Sequence, residues 1–320
     1  MKLHVSHVTR YDYSLPVSQS VNQLCLLPAS GPHQTRLRYR VDVVPEPETM
    51  DIGTDPWGNT VARFGIVEPH TTSRVSVSTL VDTRDETPPL PPSLGIEESL
   101  ERLRTRGGVE GLMAHDCLLP SPWVPPERLI DNLLAECPPA GRSVLEHAEA
   151  LMRHIHATFE YDPKFSTLVT PIAAVLDARR GVCQDFAHLA ICALRRAGVP
   201  ARYVSGYLET LPPPGKKKLR GADASHAWFA VYDAASGWHD FDPTNDKRPD
   251  HQYVVTAWGR DYGDVTPLKG IVFGGGRHTL KVQVDVDRVT TPSGLPPYYP
   301  SDDPAADDTP GAAQGAPPPS

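Results

Sequence analysis

Three side chains at the junctions of predicted elements could together carry out nucleophilic chemistry. Cys183 stands where a loop becomes a helix, His226 begins a strand directly after a loop, and Asp242 ends the next strand. In such a set an imidazole takes the proton of the thiol, and a carboxylate orients the imidazole and stabilises its charged form. The sequence therefore predicts a Cys-His-Asp site. Asp240 would share a strand face with Asp242, so alternation alone does not choose between the two carboxylates.

The helix that begins at Cys183 must hold the nucleophile. Apolar side chains occupy nearly every face of residues 184–197, which predicts a buried helix, and Gly198 followed by Pro200 predicts its end. Free N–H groups and the positive dipole end at a helix start favour a thiolate over a thiol. The backbone N–H of Cys183 is a natural donor to the oxyanion that forms when the sulfur attacks a carbonyl. The sequence names no second donor.

The elements that position these side chains follow from hydrophobic periodicity. Residues 201–208, 227–232 and 238–241 alternate with period 2 and predict one antiparallel sheet packed on the buried helix. Residues 143–159 predict an amphipathic helix that opens with a capping box of Ser143 and Glu146.

The predicted organisation is α+β. Residues 1–84 form a β-rich, sandwich-like domain, and residues 85–96 form a Pro-rich linker. Residues 97–290 form the catalytic domain, with its buried nucleophile helix packed on an antiparallel sheet. Residues 291–320 hold almost no large apolar side chains and are expected to be disordered.

Composition limits the possible functions. The net charge of -8 and the pI near 5.9 argue against a nucleic-acid binder. No apolar run approaches the ~18 residues that a membrane span needs, and the N-terminus has no apolar signal region. Five scattered cysteines do not resemble a disulfide framework. We therefore expect free thiols in a reducing cytoplasm, with no membrane association.

Several side chains have two readings. Trp228 lies two residues after His226 and either stacks on substrate or anchors the core. The run from Lys216 to Lys218 is a solvated loop or a lid that docks substrate. His188 and Cys192 are spaced i, i+4 on the nucleophile helix, but two ligands do not make a metal site. We expect them to pack in the core, and we expect no metal and no cofactor.

Three segments carry a resemblance to a known family. Residues 181–188 (GVCQDFAH), 224–228 (ASHAW) and 241–245 (FDPTN) closely resemble the nucleophile, histidine and aspartate motifs of the bacterial transglutaminase-like family, a branch of the papain-like thiol enzymes. Residues 198–207 (GVPARYVSGY) and 259–262 (GRDY) also fit. Residues 7–13 and 55–59 resemble the β-rich domain that precedes the core in bacterial members. The resemblance selects Asp242 over Asp240.

The resemblance implies a papain-like, transglutaminase-like core and an acyl-thioester mechanism on an amide or peptide bond. Water as acceptor gives a protease, peptidase or amidase, and an amine gives a transglutaminase. We prefer hydrolysis because no feature marks an amine-docking site, and the expected partner is a peptide or protein substrate. The alternative from another class is an inactive scaffold that binds peptides or a partner through the cleft. The oligomeric state, the substrate and the roles of the N-terminal domain and tail stay open.

Overall fold

The structure is a computed structural model that describes residues 1–84, 87–210, 221 and 223–289, together with the backbone of residues 299 and 300. The lysine-rich loop from Lys216 to Lys218 lies outside the described residues, as does the predicted disordered tail apart from that backbone. The structure confirms the α+β class, with a β-rich N-terminal part followed by a helix-on-sheet core.

Fourteen strands and six helices occur in the described part of the chain. In chain order they are β1 (Lys2–Leu24), β2 (Gln34–Val44), β3 (Thr49–Thr54), β4 (Thr60–Ile66), β5 (His70–Thr83), α1 (Ile96–Thr105), α2 (Gly108–Asp116), α3 (Ile130–Glu136), α4 (Val144–Thr158), β6 (Glu160–Tyr161), α5 (Ile172–Ala178), β7 (Arg180–Gly181), α6 (Cys183–Arg196), β8 (Ala201–Leu208), β9 (Ser225–Asp233), β10 (Gly237–Phe241), β11 (Tyr253–Gly259), β12 (Leu268–Gly274), β13 (His278–Arg288) and β14 (Tyr299–Pro300).

The N-terminal part is one curled antiparallel sheet. Its strand order is β14-β2-β5-β1-β4-β3, and β1 is 23 residues long. Leu3, Val5 and His7 of β1 are buried, whereas the residues between them are partly exposed, because alternate side chains of a strand point to opposite faces. One face of the sheet therefore forms the N-terminal core.

The core of the molecule is built on α6. This helix begins at Cys183, as predicted, and every residue from Gln184 to Leu194 is buried. Gly198 follows it with a φ of 82°, in the left-handed region that glycine tolerates. The predicted capping box of α4 is present, with the Ser143 N–H donating to Glu146 Oε2 at 2.9 Å. Helix α4 packs against α6, so an element read from local signals supports the nucleophile helix.

A four-stranded antiparallel sheet covers α6, in the order β10-β9-β8-β11. Its faces are distinct because strand residues alternate. Ala201 and Tyr203 of β8 pack in the cluster that includes α6. Val204 belongs to a separate cluster on the opposite face. The prediction of an antiparallel sheet on a buried helix is confirmed.

The predicted division of the chain differs from the observed sheets at one point. Strands β12 and β13 lie inside the predicted domain 97–290, yet both pair with β1 of the N-terminal sheet. Leu268 pairs with Leu24, and Val286 pairs with Val5. Strand alternation identifies a strand but not its hydrogen-bonding partner, so the sequence could not place these strands in the first sheet.

The two parts also make specific contacts at the edge strand β11. The side-chain amide of Asn59 donates to Trp258 O at 2.7 Å, and its oxygen accepts from the Trp258 N–H at 2.9 Å. Gln34 makes the same reciprocal contact with the backbone of Val255. Asp55 holds the Asn59 turn by accepting from the Asn59 N–H at 2.8 Å. The N-terminal sheet therefore fixes the far edge of the core sheet.

Candidate active site

The loop before α6 places Cys183 at the helix start. The Val182 N–H donates to Asp185 Oδ2 at 2.8 Å, which orders the first turn. A Cβ atom at position 181 would lie 2.8 Å from the Cβ of Asp185, so only glycine leaves room for that carboxylate. The thiol itself is partly exposed, unlike the residues that follow it. Cys183 is therefore held rigidly at an accessible position.

His226 lies between the thiol and a buried carboxylate. Its Nε2 atom is 2.7 Å from Asp242 Oδ2, and its side chain is 10% exposed. The Cys183 thiol lies beside the same ring and contributes to raising its pKa. The structure thus brings together the three side chains that the sequence predicted.

Asp242 is fully buried at the end of β10 and accepts hydrogen bonds on both oxygens. Oδ2 accepts from the Tyr253 hydroxyl at 2.6 Å and from Asn245 Nδ2 at 2.7 Å. Oδ1 accepts from the Thr244 N–H at 2.9 Å. Burial raises the pKa of the Asp242 carboxyl, but the hydrogen bonds and the charge of His226 outweigh it and hold this pKa below its usual range. Asp242 is therefore ionised at neutral pH.

The ring of His226 is stabilised in its charged form. Burial lowers its pKa, but the hydrogen bonds to Asp242 and Cys183, together with their charges, outweigh burial and raise the pKa to about 10. An imidazolium beside a thiol is the arrangement that activates a sulfur nucleophile.

The structure distinguishes Asp242 from Asp240. Asp240 lies in β10 and lines a cavity together with Arg202 and Trp238, whereas Asp242 directly follows the strand. His226 bonds to Asp242. The resemblance to the family had indicated Asp242 rather than Asp240, and this geometry agrees with it.

Trp228 is a supporting residue rather than an open substrate contact. Its side chain is fully buried, with its ring centroid 5.9 Å from that of His226 and 5.3 Å from that of Tyr253. A Cβ atom at position 206 would lie 2.6 Å from the Trp228 ring and 2.1 Å from Val254 O, so glycine is required there. Of the two roles that the sequence left open for Trp228, this burial favours the one in which it anchors the core.

Sequence reasoning missed the residues that hold the carboxylate. Tyr253 starts β11, which pairs with β8 and not with β10, so strand patterns gave no sign that its hydroxyl reaches Asp242. Asn245 lies within the 241–245 segment, and its nearness to Asp242 in sequence was an available signal. Gly206 lies within residues 198–207 and could have been read as a position of close approach.

The pair His188 and Cys192 is packed, as expected. His188 stacks between Trp123 and Tyr203, and its Nε2 accepts the Tyr262 N–H at 3.1 Å. Burial lowers the pKa of His188 to about 3, so the ring is neutral. Within the described ranges, no three His, Cys, Asp or Glu side chains cluster as a metal site would require. No helix in the same part of the chain is long and apolar enough to cross a membrane.

The fold and the clustered side chains define the class of papain-like thiol-enzyme folds. Residues 3–82 match the family model described as bacterial transglutaminase-like N-terminal region, and residues 132–243 match the model of the transglutaminase-like superfamily. A solved structure of a candidate cysteine protease from Cytophaga hutchinsonii superposes with a TM-score of 0.70 at 23% identity, covering 94% of each chain. That likeness shows the shared fold.

A comparison with other protein sequences also finds relatives of this chain. An uncharacterized protein of Mycobacterium tuberculosis is 36% identical over 293 residues, covering 89% of this chain and 92% of the relative. A Pseudomonas aeruginosa protein named protein-glutamine gamma-glutamyltransferase is 32% identical over 110 residues, which are 32% of this chain and 16% of that protein. The chain belongs to the bacterial transglutaminase-like family.

Proposed function

We propose that the protein is a thiol enzyme that forms an acyl-thioester from an amide or peptide bond and hydrolyses it. The observation that carries the proposal is the hydrogen bond between His226 Nε2 and Asp242 Oδ2 at 2.7 Å, with the Cys183 thiol beside the same imidazole. Membership of a family with cysteine-protease-type folds supports it.

The proposed reaction has two balanced halves. The Cys183 sulfur bonds to the carbonyl carbon, the C–N bond breaks, and the imidazolium of His226 gives its proton to the leaving amine. Water then attacks the thioester while His226 accepts its proton, the C–S bond breaks, and the carboxylic acid leaves. Asp242 keeps its hydrogen bond to His226 throughout and stabilises the charged ring.

The start of α6 supports a role for backbone donors. The first N–H groups of a helix have no partner within the helix, and Cys183 is the first helical residue. We propose that its N–H donates to the oxyanion of the tetrahedral intermediate. The positive end of the α6 dipole then lies beside the developing negative charge.

In this proposal water accepts the acyl group from the thioester. The alternative acceptor is a primary amine. The relative named protein-glutamine gamma-glutamyltransferase supports that alternative, since its name describes acyl transfer. Incubation with a glutamine-bearing protein and a labelled amine separates the two. Hydrolysis predicts release of free acid with little label incorporated at saturating amine, whereas amine transfer predicts incorporation that competes with hydrolysis.

The central test is Cys183→Ala. We expect loss of cleavage across a peptide and amide library read by mass spectrometry, at least ~10³-fold, since no other group on the site can form the thioester. Cys117→Ala is the matched control, because Cys117 is another free thiol and is buried directly after α2, outside the set of Cys183, His226 and Asp242. Undiminished cleavage by Cys183→Ala would overturn the proposal. Peptide binding without cleavage by the wild-type protein would favour the inactive-scaffold alternative.

We also propose a cytoplasmic location and a peptide or protein substrate. The five free cysteines support a reducing compartment. Fractionation of the source cells tests the location, and recovery in a secreted or periplasmic fraction would overturn it.

A further inference from the structure

A cavity of about 560 Å³ lies on the face of the four-stranded sheet that turns away from α6. Arg202 and Val204 of β8 form its floor, and residues of the 29–34 loop and the Pro-rich segment 87–91 close it from the N-terminal side. None of Cys183, His226 and Asp242 lines it. Small-molecule sites usually measure ~300–1,000 Å³, so this cavity has the size of a binding site separate from the thiol.

The guanidinium of Arg202 is built into this cavity in an unusual way. Its Cζ atom lies 4.1 Å from the ring centroid of Trp238 and 4.7 Å from that of Trp258, so two indoles lie against the guanidinium. Trp258 is itself fixed, because its Nε1–H donates to Trp57 O at 2.7 Å. A guanidinium that packs against aromatic rings keeps the N–H donors that lie in its own plane. Two of these donors can bind the two oxygens of one carboxylate.

One of those donors is buried without an acceptor in the described part of the chain. Nε of Arg202 is buried there without a hydrogen-bond partner. Burial lowers the pKa of Arg202 to about 10, which still leaves the side chain charged at neutral pH. A buried donor without an acceptor costs free energy, so a ligand that supplies an acceptor to Arg202 Nε would be stabilised there.

Charge around the cavity favours an anion. Of the three carboxylates that line it, Glu110 pairs with Arg106 at 3.1 Å and Asp250 pairs with Lys247 at 3.4 Å. Asp240 is the lining carboxylate without an ion pair among the described residues.

Three arginines line the same space, namely Arg84, Arg202 and Arg248. Arg248 donates from one terminal nitrogen to Pro88 O at 2.8 Å, and this contact anchors the proline segment over the cavity. Its Nε is also buried without a partner in the described ranges. Cationic donors on the floor and proline rings on the rim suit a ligand with one acidic and one apolar end.

We propose that this cavity binds a small organic carboxylate, with its acid group held edge-on by Arg202 and its apolar part against the prolines at 88, 89 and 91. A free acid and the C-terminal carboxylate of a short peptide share this chemistry. The site is separate from the proposed nucleophile, since Cys183, His226 and Asp242 do not line it, and Tyr253 is the residue that touches both the cavity and Asp242.

The test is isothermal titration of the full chain with two acids, benzoate and N-acetyl-glycyl-phenylalanine, and with their neutral amides. We expect the acids to bind at least ~10-fold more tightly than the amides, because each amide loses a charge-assisted bidentate contact. Stronger binding of benzoate indicates a free acid as ligand, and stronger binding of the dipeptide indicates a peptide C-terminus. Equal affinity of acids and amides, or no binding at about 5 mM, overturns the proposal.

Variants of the cavity sharpen the test. Arg202→Gln should weaken acid binding ~10-fold or more, whereas Arg153→Gln on the exposed surface of α4 should change nothing. If Arg202→Gln does not fold, Asp240→Asn carries the test, because removing that charge should tighten binding ~3-fold. Unchanged affinity in these cavity variants, or loss of acid binding in Cys183→Ala, would place the ligand elsewhere.

Discussion

The four-stranded core sheet carries two cationic side chains, His226 on β9 and Arg202 on β8, and their surroundings differ in whether a hydrogen-bond partner is present. At one end His226 bonds to Asp242 and lies beside Cys183, and these two groups outweigh burial and raise its pKa to about 10. At the other end the guanidinium of Arg202 lies against two indoles, its buried Nε has no hydrogen-bond partner among the described residues, and burial lowers its pKa to about 10. Partners, more than burial, decide whether a buried charge is satisfied within the fold or left able to bind a ligand.

Removal of the carboxylate at the His226 end should have the largest effect. Asp242→Asn leaves the imidazolium without its buried counter-charge, so we expect amide cleavage to fall ~10³-fold or more. The same variant should slow alkylation of Cys183 by iodoacetamide at neutral pH, which requires no knowledge of the substrate. Asp240→Asn is the matched control on the same strand, and cleavage by that variant should stay near wild type. Equal losses in the two variants would contradict the assignment of Asp242.

The charge of His226 should also make stability depend on pH. Its pKa is raised from about 6.5 to about 10 by folding, so its contribution is fully present below about 6.5 and is lost as pH rises through about 10. The free energy of unfolding of the wild type should therefore exceed that of His226→Asn most at pH 6 and least above pH 10. Urea unfolding of both proteins across this range measures the difference. A difference that grows with rising pH would show that the sign is wrong.

A substitution in the packing around Trp228, next to His226, should have the next largest effect. Gly206→Ala places a Cβ atom 2.1 Å from Val254 O and 2.6 Å from the Trp228 ring, so strand β11 or the indole must move. We expect a loss of about 3 kcal/mol in the free energy of unfolding, measured by urea denaturation. Gly31→Ala is the control, because no atom lies within 4 Å of its added methyl group. Similar stability of the two variants would mean that Trp228 is loosely seated.

The link between the two ends of the sheet should give the smallest effect. Tyr253 lines the cavity near Arg202, and its hydroxyl donates to Asp242 Oδ2 at 2.6 Å. Tyr253→Phe removes one of several donors to that carboxylate, so we expect a ~10-fold slower cleavage and an alkaline limit of activity at higher pH, because the carboxylate then attracts the imidazolium more strongly. Tyr11→Phe, on the N-terminal strand β1, is the control. An unchanged pH profile would show that Tyr253 only fills space.

Local signals predicted much of the framework. The sequence predicted three features that each depend on residues close in sequence. They are the buried helix from Cys183, the capping box of Ser143 and Glu146, and the strand that carries His226. The contacts that complete the cluster were not readable. Tyr253 reaches Asp242 by a side-chain hydrogen bond between elements that do not pair with each other, and the Trp228 ring packs over the glycine of the neighbouring strand.

The sequence by itself determined which residues could form the nucleophilic site and which elements carry them, because side-chain chemistry, helix ends and strand periodicity are local properties. Tertiary structure alone decided that β12 and β13 return to the N-terminal sheet. It also decided that His226 has hydrogen-bond partners while Arg202 has an open cavity. The physical reason is that register and sheet partners depend on residues far apart in the chain, and the environment of a buried charge depends on them in turn.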